Sequence, residues 1–196
     1  MLTGSNVQVS DTLLPDTLKD ALIEAVSWMP VHFLNRWERF KSHELDMHWY
    51  YPVAFSEEPY TGDVEPDLAA LDQPLQPIAE CWQLIKASYD HPVRLYECML
   101  GANTFGTEGR LHQDIAEEAE RPRHHTALIY CNKEWKLAWA GETLVIDADG
   151  EISAAVVPKP GRVMKIKGDP PHVGRSVSRI CPTDRRVLVF KFWTAE

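Results

Sequence analysis

The chain predicts a mainly β protein: a double-stranded β-helix, the jelly-roll or cupin-like barrel, supported by α-helices. Three observations lead there. From residue 91 onward, short segments rich in β-branched and aromatic residues follow one another, separated by turn chemistry. The first ninety residues instead carry helical periodicity. The composition, 44% hydrophobic and 25% charged over 196 residues, suits one globular domain spanning residues 1–196.

Asp16 to Met29 carries Leu18, Leu22, Ile23, Val26 and Met29 at helical spacing, with Asp16 the expected N-cap after Pro15. An aromatic, strand-like stretch, Met47 to Phe55, follows, then a Pro- and Asp-rich connection, Glu58 to Asp67. The second expected helix runs from Leu75 to Ser88, with Pro77 in its first turn. Ile78, Cys81, Trp82 and Ile85 share one of its faces, with Leu84 at the margin. Trp28, Phe33, Trp37 and Phe40 are expected in the helix–sheet core, part of that group also being open to a homodimer face.

The expected strands are Val93–Asn103, His125–Cys131, Glu142–Ile146, Ile152–Val157, Arg162–Ile166, His172–Val177 and Arg186–Trp193. Asp147–Gly150, Pro158–Gly161 and Pro182–Asp184 supply turns between them.

Composition also excludes classes of function. A net charge of −9 argues against a nucleic-acid binder, which needs a basic face. No apolar run reaches the ~18–20 residues of a membrane span. Met1 to Leu14 lacks both a basic and a continuous apolar stretch, so no signal peptide is expected. Cys81, Cys98, Cys131 and Cys181 form no CxxC pair and read as reduced thiols of a cytoplasmic protein.

Three residues suggest metal chemistry. In a strand His112 and Asp114, at i and i+2, point to the same face and can converge on one ion. Taken alone, such a pair is more often a surface loop. His172, in Pro170-Pro171-His172-Val173-Gly174, begins a late strand that a barrel brings near His112. Two imidazoles and one carboxylate make the facial triad of non-haem Fe(II), with positions left open. Structural zinc would want four protein ligands, and no cysteine is spaced to help.

The last strand adds a cation. Alternation places Arg186, Leu188, Phe190 and Phe192 on one face and Arg185, Val187, Val189, Lys191 and Trp193 on the other. With Lys191 taken as the solvent marker, Arg186 faces inward among apolar residues. A buried guanidinium needs an anion, either a protein carboxylate or one arriving with a ligand. Tyr130 shares a face with Thr126 and Leu128, as a second donor to that anion or as a core tyrosine with a backbone partner. The charged run Glu117 to His125 reads as a solvated loop, or as a lid in which Arg121, Arg123 or His124 meets an anionic substrate; Arg110, Arg175 and Arg179 have the same two readings. Trp135 and Trp139 read as packing residues.

Taken together, His112-x-Asp114, Tyr130-Cys-Asn-Lys-Glu-Trp135, Trp139-Ala-Gly-Glu-Thr143, Pro158-Lys-Pro-Gly-Arg162, His172 and Arg186 resemble the 2-oxoglutarate- and Fe(II)-dependent dioxygenases, in their prolyl 4-hydroxylase-like subgroup. The resemblance spans Leu95 to Trp193. It implies that His112, Asp114 and His172 hold Fe(II), that 2-oxoglutarate chelates the metal, and that Arg186 and Tyr130 hold its distal carboxylate. Arg185 is the rival to Arg186, disfavoured by strand parity. The resemblance further implies use of O2, often with L-ascorbate to keep iron reduced, and hydroxylation of a substrate with release of succinate and CO2. Gly101-Ala-Asn-Thr-Phe-Gly106 lacks the tyrosine often found there in prolyl hydroxylases. That points to a small metabolite, such as an amino acid or natural-product intermediate, ahead of peptidyl proline. A cupin-like metal-binding module without turnover is the non-enzymatic alternative.

Overall fold

The computed structural model describes residues 6–34 and 48–194. Trp37, Phe40 and Met47 lie outside the described residues. Among those described, the strands are β1 (Val7–Ser10), β2 (His32–Leu34), β3 (His48–Phe55), β4 (Val93–Asn103), β5 (His124–Tyr130), β6 (Thr143–Ile146), β7 (Ile152–Val156), β8 (Val163–Lys167), β9 (His172–Gly174) and β10 (Arg185–Thr194). The α-helices are α1 (Asp16–Ser27), α2 (Glu65–Ala69) and α3 (Gln76–Ala87). A seven-stranded sheet has the order β1-β8-β5-β10-β4-β3-β2, and a three-stranded sheet the order β7-β6-β9. All pairings are antiparallel, and the two sheets form the expected jelly roll.

The expected apolar face of α3 is buried as read: Ile78, Cys81, Trp82 and Ile85 are fully enclosed. Trp82 stacks on Phe190 with ring centroids 5.8 Å apart and meets Phe192 edge-on at 5.2 Å. Leu188, Phe190 and Phe192 therefore face the helices, in one core with Leu22, Val26 and Ile85. The opposite face of β10 looks into the barrel. There Val187 and Val189 pack with Leu128, Tyr130 and Met164 of the large sheet and Val145, Ala154 and Val156 of the small one.

This corrects the strand parity expected for β10. Arg186 lies on the helix side and Arg185 on the barrel side. The alternation was right, but the sheet is covered on both faces, so apolar content could not say which face is inward. Lys191 misled because it is buried with carboxylate partners rather than exposed.

Three further corrections concern the periphery. Trp28 is 81% exposed and Phe33 45%, so neither belongs to the core. Trp28 follows the last turn of α1, and its indole donates to Glu24 at the surface. Asp16 does not cap α1; Pro15 holds the cap position, and Asp16 pairs with Lys19 at 2.6 Å. Finally β1, β2 and α2 were not expected. β1 and β2 are short strands at the two edges of the large sheet, and α2 emerges from the Pro- and Asp-rich connection.

Candidate active site

His112 and His172 meet through a reciprocal backbone bridge: each amide donates to the other's carbonyl, at 3.1 and 2.9 Å. His112 thus lies in an isolated bridge rather than in a strand. The bridge brings His112 and Asp114 against the start of β9. Ligand atoms of His112, Asp114 and His172 lie within 4.8 Å of one another. The Nε2 atoms of His112 and His172 approach opposite oxygens of Asp114, each at 3.7 Å.

Both imidazole tautomers are determined by their surroundings. Nδ1 of His112 lies 2.9 Å from the Arg110 carbonyl and Nδ1 of His172 lies 3.0 Å from the Pro170 carbonyl. A carbonyl only accepts, so each Nδ1 carries the proton and each Nε2 presents a lone pair to the shared space. Two lone pairs facing a buried carboxylate have no proton to share in the neutral forms. Such a donor set could hold a cation.

The electrostatics suit that arrangement. Burial, outweighing the pull of Asp114, lowers the His172 pKa to about 4 and keeps its ring neutral at pH 7. At His112 burial acts in the same direction, but the Asp114 carboxylate, 3.7 Å from its Nε2, carries the pKa upward, so this ring binds a proton more readily than His172 does. Burial would raise the Asp114 pKa; Lys191 and the two imidazoles hold it far below the ordinary carboxylate range.

Asp114 is gripped from several sides. Thr126 on β5 donates to its Oδ2 at 2.9 Å, and Lys191 on β10 reaches its Oδ1 at 2.9 Å. Its backbone amide and that of Ile115 donate to the two oxygens of Asp169, each at 2.8 Å. Gln113 donates to the Asp169 carbonyl at 2.9 Å. Asp169 has φ 50° and follows Gly168 at φ 80°. That left-handed pair turns the chain so the carboxylate faces the His112–Asp114 segment just before Pro170-Pro171-His172. Burial and then Asp114 raise the Asp169 pKa to about 6.

At the other end of β5 lies a buried guanidinium. Arg185 donates to Gly141 O at 2.7 Å, Asn103 Oδ1 at 3.0 Å and Thr143 Oγ1 at 2.7 Å, and stands 5.3 Å from the centre of the Tyr130 ring. The Tyr130 hydroxyl donates to Thr143 Oγ1 at 2.7 Å. All three Arg185 acceptors are neutral, and among the described residues no carboxylate pairs with it. Gly174, two residues beyond His172, lies beside it: an added Cβ there would stand 3.4 Å from the Arg185 Nη1, an ordinary contact. Thr143 is two residues along β6 from Val145, the register partner of His172. That separation is on the order of 7 Å along a strand, the reach of a short dicarboxylic acid.

Arg186 stands elsewhere. It pairs with Asp184 at 2.9 Å and donates to the carbonyls of Val26, Ser27 and Met29, tying the end of α1 to β10. Residues Glu118–Arg123 form a 3-10 helix, not an open loop. Arg121 is engaged by the Ile115 and Ala116 carbonyls, and His124 is fully buried with Tyr96 Oη 2.8 Å from its Nε2. Arg175 pairs with Glu108 at 2.9 Å. Trp135 and Trp139 pack edge-on, as expected of packing residues. Lys191, Glu97, Asp169, Asn103 and Thr143 were given no site role in the sequence reading. Only the alternation of β10 hinted at Lys191, by placing it on the face of Arg185.

No family model and no curated protein matches the chain. Solved structures do. A prolyl hydroxylase from Trichoplax adhaerens, in complex with a hypoxia inducible factor oxygen degradation domain peptide fragment, superposes with a TM-score of 0.68 at 11% identity, over 96% of this chain and 84% of that one. The chain shares its fold with this hydroxylase. A Pseudomonas putida prolyl-4-hydroxylase gives a TM-score of 0.58 at 20% identity over 97% of this chain and 94% of its own. HygX from Streptomyces hygroscopicus, with nickel and 2-oxoglutarate bound, gives 0.60 at 13% identity over 97% and 83%. Among the described residues no helix is long and apolar enough to cross a membrane.

Proposed function

We propose that this chain is an Fe(II)- and 2-oxoglutarate-dependent dioxygenase that hydroxylates a small metabolite. The observation that carries the reading is the pair of oriented imidazoles facing Asp114 in a barrel that also buries a cation without a carboxylate. A metal-binding module without turnover has no need of such a cation, because burying an unpaired guanidinium is costly. In this reading His112, Asp114 and His172 hold the metal. Arg185, with Tyr130 beside it, receives the distal carboxylate of 2-oxoglutarate, the place expected of Arg186. Bound iron supplies the activation of O2, with 2-oxoglutarate as the reductant that becomes succinate and CO2.

The protein's own groups do the positioning. The Arg110 and Pro170 carbonyls fix the two ring orientations, and Thr126 and Lys191 fix the Asp114 carboxylate. The substrate reading is supported by Gly101, on the barrel side of β4 opposite Val187, in the stretch where peptidyl-proline hydroxylases often carry a tyrosine. The test is an anaerobic titration of the metal-free protein with Fe(II) and then 2-oxoglutarate. A visible charge-transfer band of the chelated 2-oxo acid is expected, absent from Asp114→Ala. Metal binding without the band would leave a metal-binding module instead.

A further inference from the structure

Lys191 is a largely buried ammonium between two carboxylates, Asp114 at 2.9 Å and Glu97 at 3.4 Å. The side chains of Lys191, Glu97 and Asp114 are 17%, 12% and 2% exposed, so little water screens them from one another. Glu97 faces Lys191 directly across the β10–β4 pairing, and Thr126 does so across the β10–β5 pairing. Thr126 already orients the Asp114 carboxylate through a neutral donor, and Asp169 anchors the backbone there by accepting from the Asp114 and Ile115 amides. A fixed positive charge on the same carboxylate adds something that geometry does not need.

We propose that Lys191 and Glu97 form a charge-setting pair behind the metal-binding carboxylate, in which Lys191 disfavours the ferric over the ferrous state and Glu97 moderates that effect. The inference rests on the reading of the site given above. Its basis is Coulombic. A positive charge held against a ligand carboxylate opposes the extra positive charge gained when Fe(II) loses an electron, and a nearby negative charge favours that gain. Lys191 is thus a positioning residue acting through Asp114, and an oriented donor of the same shape without charge would not replace it.

The experiment is a spectroelectrochemical titration of the iron-loaded full-length protein without 2-oxoglutarate, following the one-electron Fe(III)/Fe(II) couple. Lys191→Met is expected to raise the ferric-to-ferrous ratio at a given potential at least tenfold, a midpoint shift of about −59 mV. Glu97→Gln is expected to move it in the opposite direction, and Lys191→Arg to stay within threefold of wild type. Opposite signs from the two charge-removing variants are what a purely structural pair would not produce. Shifts of the same sign, or of less than twofold in folded protein, overturn the proposal while leaving the metal site intact. Should Lys191→Met fail to fold, Glu97→Gln decides. That variant keeps the Lys191–Asp114 contact, and an unmoved or lowered midpoint in it overturns the proposal. Wild-type protein that binds no iron overturns both this inference and the reading of the site.

Discussion

Replacing Arg185 and Arg186 in turn separates a ligand site from a structural tie between neighbouring residues. Arg185 is buried, and among the described residues its hydrogen bonds go to Gly141 O, Asn103 Oδ1 and Thr143 Oγ1. A carboxylate entering its fork gains two charge-assisted hydrogen bonds, each worth about 1.5–3 kcal/mol. Arg185→Met should therefore weaken 2-oxoglutarate binding by at least about 3 kcal/mol, on the order of 100-fold in Kd. Methionine fills the same volume without a charge, so the barrel keeps its packing. Arg186→Ala should leave that Kd within about twofold, because the side chain sits on the opposite face of the sheet among the Asp184 carboxylate and the α1 carbonyls. Its cost should appear in stability, about 1–3 kcal/mol for the lost ties. The assay is the anaerobic 2-oxoglutarate titration of Fe(II)-loaded protein, paired with urea unfolding of each variant. Lost 2-oxoglutarate affinity in Arg186→Ala, with affinity retained in Arg185→Met, would refute the assignment.

Other predictions follow from the same geometry. Asp169→Asn replaces a carboxylate that accepts from the Asp114 and Ile115 amides, and should weaken Mn(II) affinity about tenfold, read by calorimetry; unchanged affinity would make the clasp irrelevant to the metal. Metal-free protein should lose stability between pH 7 and pH 5. Burial holds His124 at about 3, and His125 and His172 at about 4, against an ordinary value of 6.5, so the folded state binds fewer protons there than the unfolded chain. Each imidazole contributes fully above pH 6.5 and loses about 2 kcal/mol by pH 5, while Asp169, raised to about 6, returns about 1 kcal/mol over the same range. Equal urea midpoints at the two pH values would contradict the burial of these rings. Trp82→Ala should cost about 3–5 kcal/mol by removing the ring packed on Phe190 and Phe192; a loss below about 1 kcal/mol would mean that the helix layer is not locked to the sheet there.

Much of the fold was legible locally because local chemistry makes it. β4 has the bounds its residues suggested, Val93–Asn103, and α3 buries Ile78, Cys81, Trp82 and Ile85 as their spacing required. His112, Asp114 and His172 could be singled out as candidates because few residue types ligate metal, and the fold brings the three together. The sequence by itself determined the alternation of β10 and the grouping of its residues into two faces. Only the tertiary structure decided which face is inward. A sheet with helices on one side and a second sheet on the other buries both faces, so hydrophobicity carries no sign, and a lysine marks solvent only when no carboxylate waits behind it. Asp114 and Glu97 come to Lys191 from different strands, and Asn103, Gly141 and Thr143 reach Arg185 from across the barrel. Partners so distant along the chain are brought together by folding, and their burial decides which charges become functional.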